Sequence, residues 1–171
     1  TPLELARQTV DAYADYYKQR ASATHSVIKA SAFPGLIEKV DAWTGAVMAA
    51  GLKREVETAR TGAMSYVMFS NKDLYHFTTV LSYFTTNSAV RKATERLQDY
   101  ITKELVAYNR YVNIPPATGG WDYPEDDEQN YANSHGLAVY VPESAGGDGY
   151  RELAWAADSK WDEFIAWYTA K

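Results

Sequence analysis

The run Gly136-Leu137-Ala138-Val139-Tyr140-Val141-Pro142 constrains this chain more than any other stretch. Leu137, Val139 and Val141 alternate with Ala138 and Tyr140, and Gly136 and Pro142 punctuate the ends, which predicts a short strand buried on both faces. Such a strand needs a sheet beside it. Most of the remaining sequence has helical periodicity, so the question is which sheet this strand joins and whether these 171 residues contain all of it.

Thr1-Pro2-Leu3-Glu4 places an N-cap, a Pro at the first helical position and a Glu three residues after the Thr. Leu3, Ala6, Val10, Tyr13 and Tyr17 then recur at helical spacing, predicting a helix to about Arg20. Thr24 to Ser31, with Val27 and Ile28 between small residues and Phe33-Pro34-Gly35 beyond, suits a short strand. Leu36, Val40, Trp43, Val47 and Ala50 form an apolar stripe that ends at Gly51, where a left-handed cap is expected. A polar helix follows over Lys53 to Arg60. Ala63 to Phe69 is apolar nearly throughout and fits a helix or a strand, with helix preferred.

Asn71 is the expected N-cap of a helix carrying Leu74, Phe77, Leu81 and Phe84 on one face. Asn87 or Ser88 opens the longest pattern, Val90, Ala93, Leu97, Ile101, Leu105 and Tyr108, and the two helices are expected to pack antiparallel. Ile114 to Asn133 holds Pro115-Pro116, Gly119-Gly120 and Pro124 and predicts a long surface loop. After the strand come Gly146-Gly147-Asp148-Gly149, a short helix from Tyr150 to Ala156, and a last helix capped by Asp158 or Ser159 that carries Trp161, Phe164, Ile165 and Tyr168. The expected class is therefore helix-rich α/β, a single domain over 1–171 with few strands covered by helices.

A net charge of -5 and a pI near 5.2 leave no general basic face for nucleic acid or an anionic membrane. No apolar run approaches the roughly 18 residues of a membrane span, and no secretory signal opens the chain. Without a Met at its start, the sequence fits a processed or excised piece. There is no Cys, so disulfides, thiolate ligands and a cysteine nucleophile are all excluded from this chain.

His25, His76 and His135 do not share a helix at zinc-site spacing. Ser65, Ser70 and Ser82 lack the glycines of a nucleophile elbow, and Gly146 to Gly149 lacks a phosphate-loop pattern, which leaves a flexible turn. Asp122, Glu125, Asp126, Asp127 and Glu128 crowd one loop. Of these, Asp122, Asp126 and Asp127 are the candidate calcium ligands, although the spacing is not that of an EF-hand and a solvated acidic loop is the plainer reading. No other cofactor is indicated. Trp121, Tyr123 and Tyr131 around those acids are the candidate sugar- or peptide-binding rim, whereas Trp43, Trp161 and Phe164 belong to helix faces and to the core.

Gly136 to Pro142, followed by Tyr150, Leu153, Ala154 and Trp161-Asp162-Glu163-Phe164-Ile165, resembles the C-terminal end of clostripain-family cysteine peptidases. Those end in a Gly-Leu-Ser-Ile-Tyr-Phe-Pro strand, then a Tyr, a Leu and a Trp-x-x-Phe-Leu helix. Thr24 to Ser31 is similar to the family's Thr-Leu-Ser-Ala-Ile-Asp-Leu-Ser segment, and Asn71 to Phe77 to its Asp-Leu-x-Asp-Phe helix start. Lys29 stands where the family usually has Asp, and His76 where it often has an acid.

The resemblance spans almost the whole chain and implies the C-terminal part of a caspase-like fold. In that family the catalytic His-Gly and Cys lie upstream, on the N-terminal half of the sheet, and no residue here matches them. His135-Gly136 precedes its strand, where the family's catalytic His-Gly follows one, so a strand-entry role is expected and no catalytic residue is assigned. The implied function is structural: this chain would support a bacterial, secreted endopeptidase that uses a thiolate nucleophile and an imidazole base. The implied partners are the N-terminal catalytic half and a peptide or protein substrate, and the implied location is extracellular or in the cell envelope. The alternative is a stand-alone binding module that uses the aromatic and acidic loop 119–131 for a peptide or glycan.

Overall fold

The structure is a computed structural model that describes residues 1–18, 20–114, 130–145 and 148–170. Among these lie eight α-helices and two small two-stranded antiparallel sheets. No helix among the described residues is long and apolar enough to cross a membrane.

Helix α1 (Pro2–Tyr17) starts with the expected capping box, Thr1 and Glu4 satisfying each other's backbone N–H groups. Strand β1 (Ala23–Ile28) follows. Helix α2 (Phe33–Ala49) presents Leu36, Val40, Trp43 and Val47 to the core and ends where Gly51 takes a φ of 69°. Helix α3 (Lys53–Gly62) contributes Val56 and Ala59.

Residues 63–69 are not helical. Ser65 forms an isolated bridge with Lys72, and Tyr66 N–H donates to Asn71 O at 2.8 Å, so the chain folds back as a tight hairpin. Its apolar tip, Val67, Met68 and Phe69, lies exposed, which removes the burial a helix would have gained. Strand β2 (Asn71–Asp73) follows at once, and the N-cap of α4 (Leu74–Tyr83) is Asp73, not Asn71: its carboxylate accepts from His76 N–H.

Asn87 caps α5 (Ser88–Tyr100) by accepting from Ala89 and Val90 N–H. The α4–α5 pair is tied by Gln98, whose amide donates to Tyr75 O, Thr78 Oγ1 and Thr79 Oγ1. The long helical pattern stops short of Tyr108. A π-helical turn at Ile101–Leu105 leads into β3 (Val106–Val112), which pairs antiparallel with β1, Thr24 opposite Tyr111 and Ser26 opposite Asn109. Ile101 and Leu105 remain in the core, so one apolar periodicity covers two backbone conformations, and the β1 edge decides where the helix gives way.

Strand β4 (Ala138–Tyr140) pairs with β2, Lys72 opposite Val139. The two strands expected from sequence do not pair with each other; each has a short partner that periodicity alone did not reveal. The expected burial on both faces is corrected too. Val139 and Val141 enter the core, while Ala138 is exposed. Helices α6 (Asp148–Arg151) and α7 (Ala154–Asp158) divide the expected helix 150–156, and α8 (Trp161–Thr169) closes the chain, with Ser159 Oγ accepting from Trp161 N–H.

Trp43, Phe77, Trp161 and Phe164 sit at the centre of the core, Trp43 and Trp161 stacked at 6.2 Å and Phe164 meeting Trp43 edge-on at 5.5 Å. The buried Trp43 indole donates to Thr94 Oγ1 at 3.0 Å, so the aromatic centre leaves no polar atom of that ring unpaired.

Candidate functional site

The polar centre of the molecule is the carboxylate of Asp73, fully buried where β2 becomes α4. One oxygen caps the helix through His76 N–H at 2.9 Å. The other accepts from the Tyr66 hydroxyl at 2.9 Å and from His135 N–H at 2.7 Å. Through these three hydrogen bonds the buried carboxylate joins the 63–70 hairpin, α4 and the segment entering β4.

His135 lies at that entry, its ring stacked on Tyr75 at 3.8 Å. Nδ1 donates to Asn133 O at 2.9 Å and lies 3.5 Å from Asp73 Oδ1. Burial works against its charge, but the bond and the field of Asp73 outweigh that and raise its pKa above 6.5. The side chain is 32% exposed. Among the described residues no Ser or Thr hydroxyl is hydrogen-bonded to it. The neighbouring Ser134 Oγ is committed to Thr24 Oγ1 at 3.0 Å and Tyr66 Oη at 3.2 Å. The geometry therefore makes His135 a clamp for the strand entry.

Gly136 completes that entry. Its φ of 87° suits glycine, and an added Cβ would lie 2.8 Å from Ser26 Cβ. The close approach lets Ser26 Oγ donate to Gly136 O at 2.8 Å and Asn109 Nδ2 donate to Ser134 O at 2.7 Å. Together these bonds pin 134–136 across the face of β1 and β3.

Lys72 is the least expected member of the cluster. It is fully buried, and no carboxylate among the described residues is within ion-pair distance. Nζ donates to Ser65 Oγ at 2.6 Å and Ala63 O at 3.3 Å and lies 3.7 Å over the Phe69 ring. Burial first, and the charge of Arg60 second, push its pKa down to about 8. His76 is shifted down as well, by burial foremost, and its Nδ1 accepts from Met64 N–H at 2.8 Å. One sequence signal was available for Asp73, an Asp directly before an apolar helix face. None marked Lys72, because a lysine in a short polar run reads as solvent-facing.

Of the residues singled out from sequence, Trp121, Tyr123, Asp122, Asp126 and Asp127 lie outside the described residues, as do Gly146 and Gly147. Tyr131 is buried, with its ring stacked on Tyr66 at 6.0 Å and its N–H donating to Asn113 Oδ1 at 2.9 Å. Among the described residues no three His, Asp or Glu side chains converge as a metal cluster would.

A groove of about 370 Å³ opens beside the β2–β4 pair. It is lined by Phe33 and Leu36 of α2, Asn71 of β2, Leu74 of α4, Leu137 to Tyr140, and Tyr150, Leu153 and Trp155. Helix α8 bonds to the end of the strand: the Trp161 indole donates to Tyr140 O at 2.8 Å and the Tyr168 hydroxyl to Pro142 O at 2.6 Å. No protein-family model, curated protein or solved structure matches the chain.

Proposed function

We propose that this chain is the supporting, non-catalytic C-terminal portion of a clostripain-like cysteine endopeptidase, which completes one side of a caspase-like sheet and covers it with helices. What supports the reading is that the separate segments carrying the resemblance bond to one another around a single strand. Ser26 of the 24–31 segment donates to Gly136 O, Leu74 N–H of the 71–77 segment donates to Leu137 O, and Trp161 of the last helix donates to Tyr140 O. Segments scattered over some 140 positions meet within five residues, as parts of one ancestral core would.

In this role the chain performs no bond-breaking step. It supplies packing: the aromatic core stiffens α2, α4 and α8, and the Asp73 cluster fixes β4 relative to β1, so that a catalytic half seated on the strands would find a rigid support. The thiolate and imidazole would come from that other half, and an extracellular or envelope location belongs to the same reading. The test is reconstitution. Mixed with a separately produced N-terminal half carrying the catalytic His and Cys, the chain restores thiol-dependent peptidase activity. Failure of the two halves to associate would refute the proposal.

A further inference from the structure

We propose that Ser65 and Lys72 form a nucleophile and general-base pair that acts on carboxylic esters of short apolar acids, an activity of the chain's own and separate from the supporting role above. The hairpin geometry carries the argument. Tyr66 N–H donates to Asn71 O at 2.8 Å and Asp73 N–H to Met64 O at 3.1 Å. Ser65 and Lys72 are therefore the unbonded pair between those two bonds, the kind in which facing side chains approach closest. Lys72 Nζ accordingly lies 2.6 Å from Ser65 Oγ.

The two ends of the pair have opposite surroundings. Lys72 is fully buried with the Phe69 ring over its Nζ, while Ser65 is partly exposed. An ammonium out of water, with only a hydroxyl and a carbonyl as acceptors, carries a burial cost that a neutral amine does not. The Arg60 guanidinium, itself paired with Glu57, opposes the charge as well. Asp73, next in the strand, turns to the opposite face and spends its carboxylate on Tyr66, His76 and His135. A neutral amine beside a hydroxyl is a base for it. Ser65 Oγ–H donates to Phe69 O at 3.3 Å, long for a hydroxyl, so the hydrogen can turn instead to the Nζ lone pair across the same 2.6 Å.

In the first step Oγ attacks the ester carbonyl and its proton passes to Nζ. That proton leaves on the departing alcohol, and the acyl group remains as an ester on Ser65. Water then attacks this ester and gives a proton to Nζ; the acid departs and Oγ takes the proton back. Ser65 N–H points away from 71–73, makes no hydrogen bond among the described residues, and is available to the developing oxyanion. One such donor makes a slow hydrolase. The exposed Val67, Met68 and Phe69 on the same hairpin favour an apolar acyl group.

The test is labelling of the full chain with an alkyl fluorophosphonate, the adduct being located by peptide mass spectrometry. Ser65 is expected to label about tenfold faster at pH 9 than at pH 7, and the rate to level off beyond, as Lys72 loses its proton through a folded value of about 8. Hydrolysis of p-nitrophenyl butyrate follows the same profile, and Ser65→Ala abolishes both. Lys72→Met lowers both about a hundredfold. Where that variant does not fold, the plateau of the parent chain carries the test.

The inference is overturned by absence of an adduct at Ser65 at pH 9, by labelling there no faster than at Ser70 or Ser82, or by a rate that goes on climbing with hydroxide. Undiminished labelling of folded Lys72→Met overturns it too. Failed reconstitution with a labelled Ser65 removes only the peptidase reading, and reconstituted activity without the label removes only this one.

Discussion

The helical side of the molecule and the strand side are built on opposite terms. Around Trp43, Phe77, Trp161 and Phe164 the buried side chains are aromatic and aliphatic, and the indole nitrogens of Trp43 and Trp161 are paired. Around Asp73 the buried groups include a carboxylate and an ammonium, the strands are three to seven residues long, and a groove opens beside the β2–β4 pair. Apolar packing is non-directional and can be completed within one chain. A strand edge is directional and stays incomplete until another backbone meets it. The difference separates non-directional packing from bonds that depend on where remote residues are placed.

The sharpest break in that contrast is Trp43→Ala. It removes the ring shared by three helices and costs about 3–5 kcal/mol, measured as a lowered denaturation midpoint with exchange rising throughout the protein. On the strand side the corresponding change is Asp73→Asn. The amide can no longer satisfy three donors, and we expect a loss of about 2–3 kcal/mol with exchange rising first at 133–136 and at the start of α4. The same variant reports on His135. Its raised pKa means that its charge stabilises the fold at low pH, fully so below 6.5, and that this stabilisation fades as pH climbs through the higher folded value. In Asp73→Asn that slope should vanish, and an unchanged slope would show that Asp73 is not its source.

The effect confined to the narrowest pH window concerns Lys72. With a folded pKa of about 8 against 10.5 for the free side chain, the unfolded chain holds more protons between those values, so stability should rise with pH above 8. Tyr66, Tyr150 and Tyr168, whose pKa values burial raises, act in the opposite sense above 10, which confines the window to pH 8–10. Lys72→Met should flatten the curve there, as read by urea denaturation at each pH. A slope identical to that of the parent chain would place the titrating group elsewhere.

How much of this was legible in advance differs along the same divide. The capping box at Thr1, the stripe of α2 with Gly51 at its end, and the core places of Trp43, Trp161 and Phe164 follow from short-range spacing. The hairpin at 63–70 and strand β3 did not. Val67, Met68 and Phe69 are apolar yet exposed, and Ile101 to Val112 keeps an apolar rhythm while its backbone changes from helix to strand. In both places a pairing partner far along the chain decides: β2 for the hairpin, β1 for the strand.

The sequence by itself determined that helices would dominate, that Trp43, Trp161 and Phe164 would lie in the core, and that a strand would fall within Gly136 to Pro142, because these depend on the periodicity and punctuation of neighbouring residues. Only the tertiary structure decided which strand lies beside it, that Asp73 rather than Asn71 caps α4, that Lys72 is buried with no carboxylate of the described residues beside it, and that an apolar groove opens beside the β2–β4 pair. Those features depend on where residues remote in sequence come to rest, and directional bonds to distant partners leave no periodic trace in the chain.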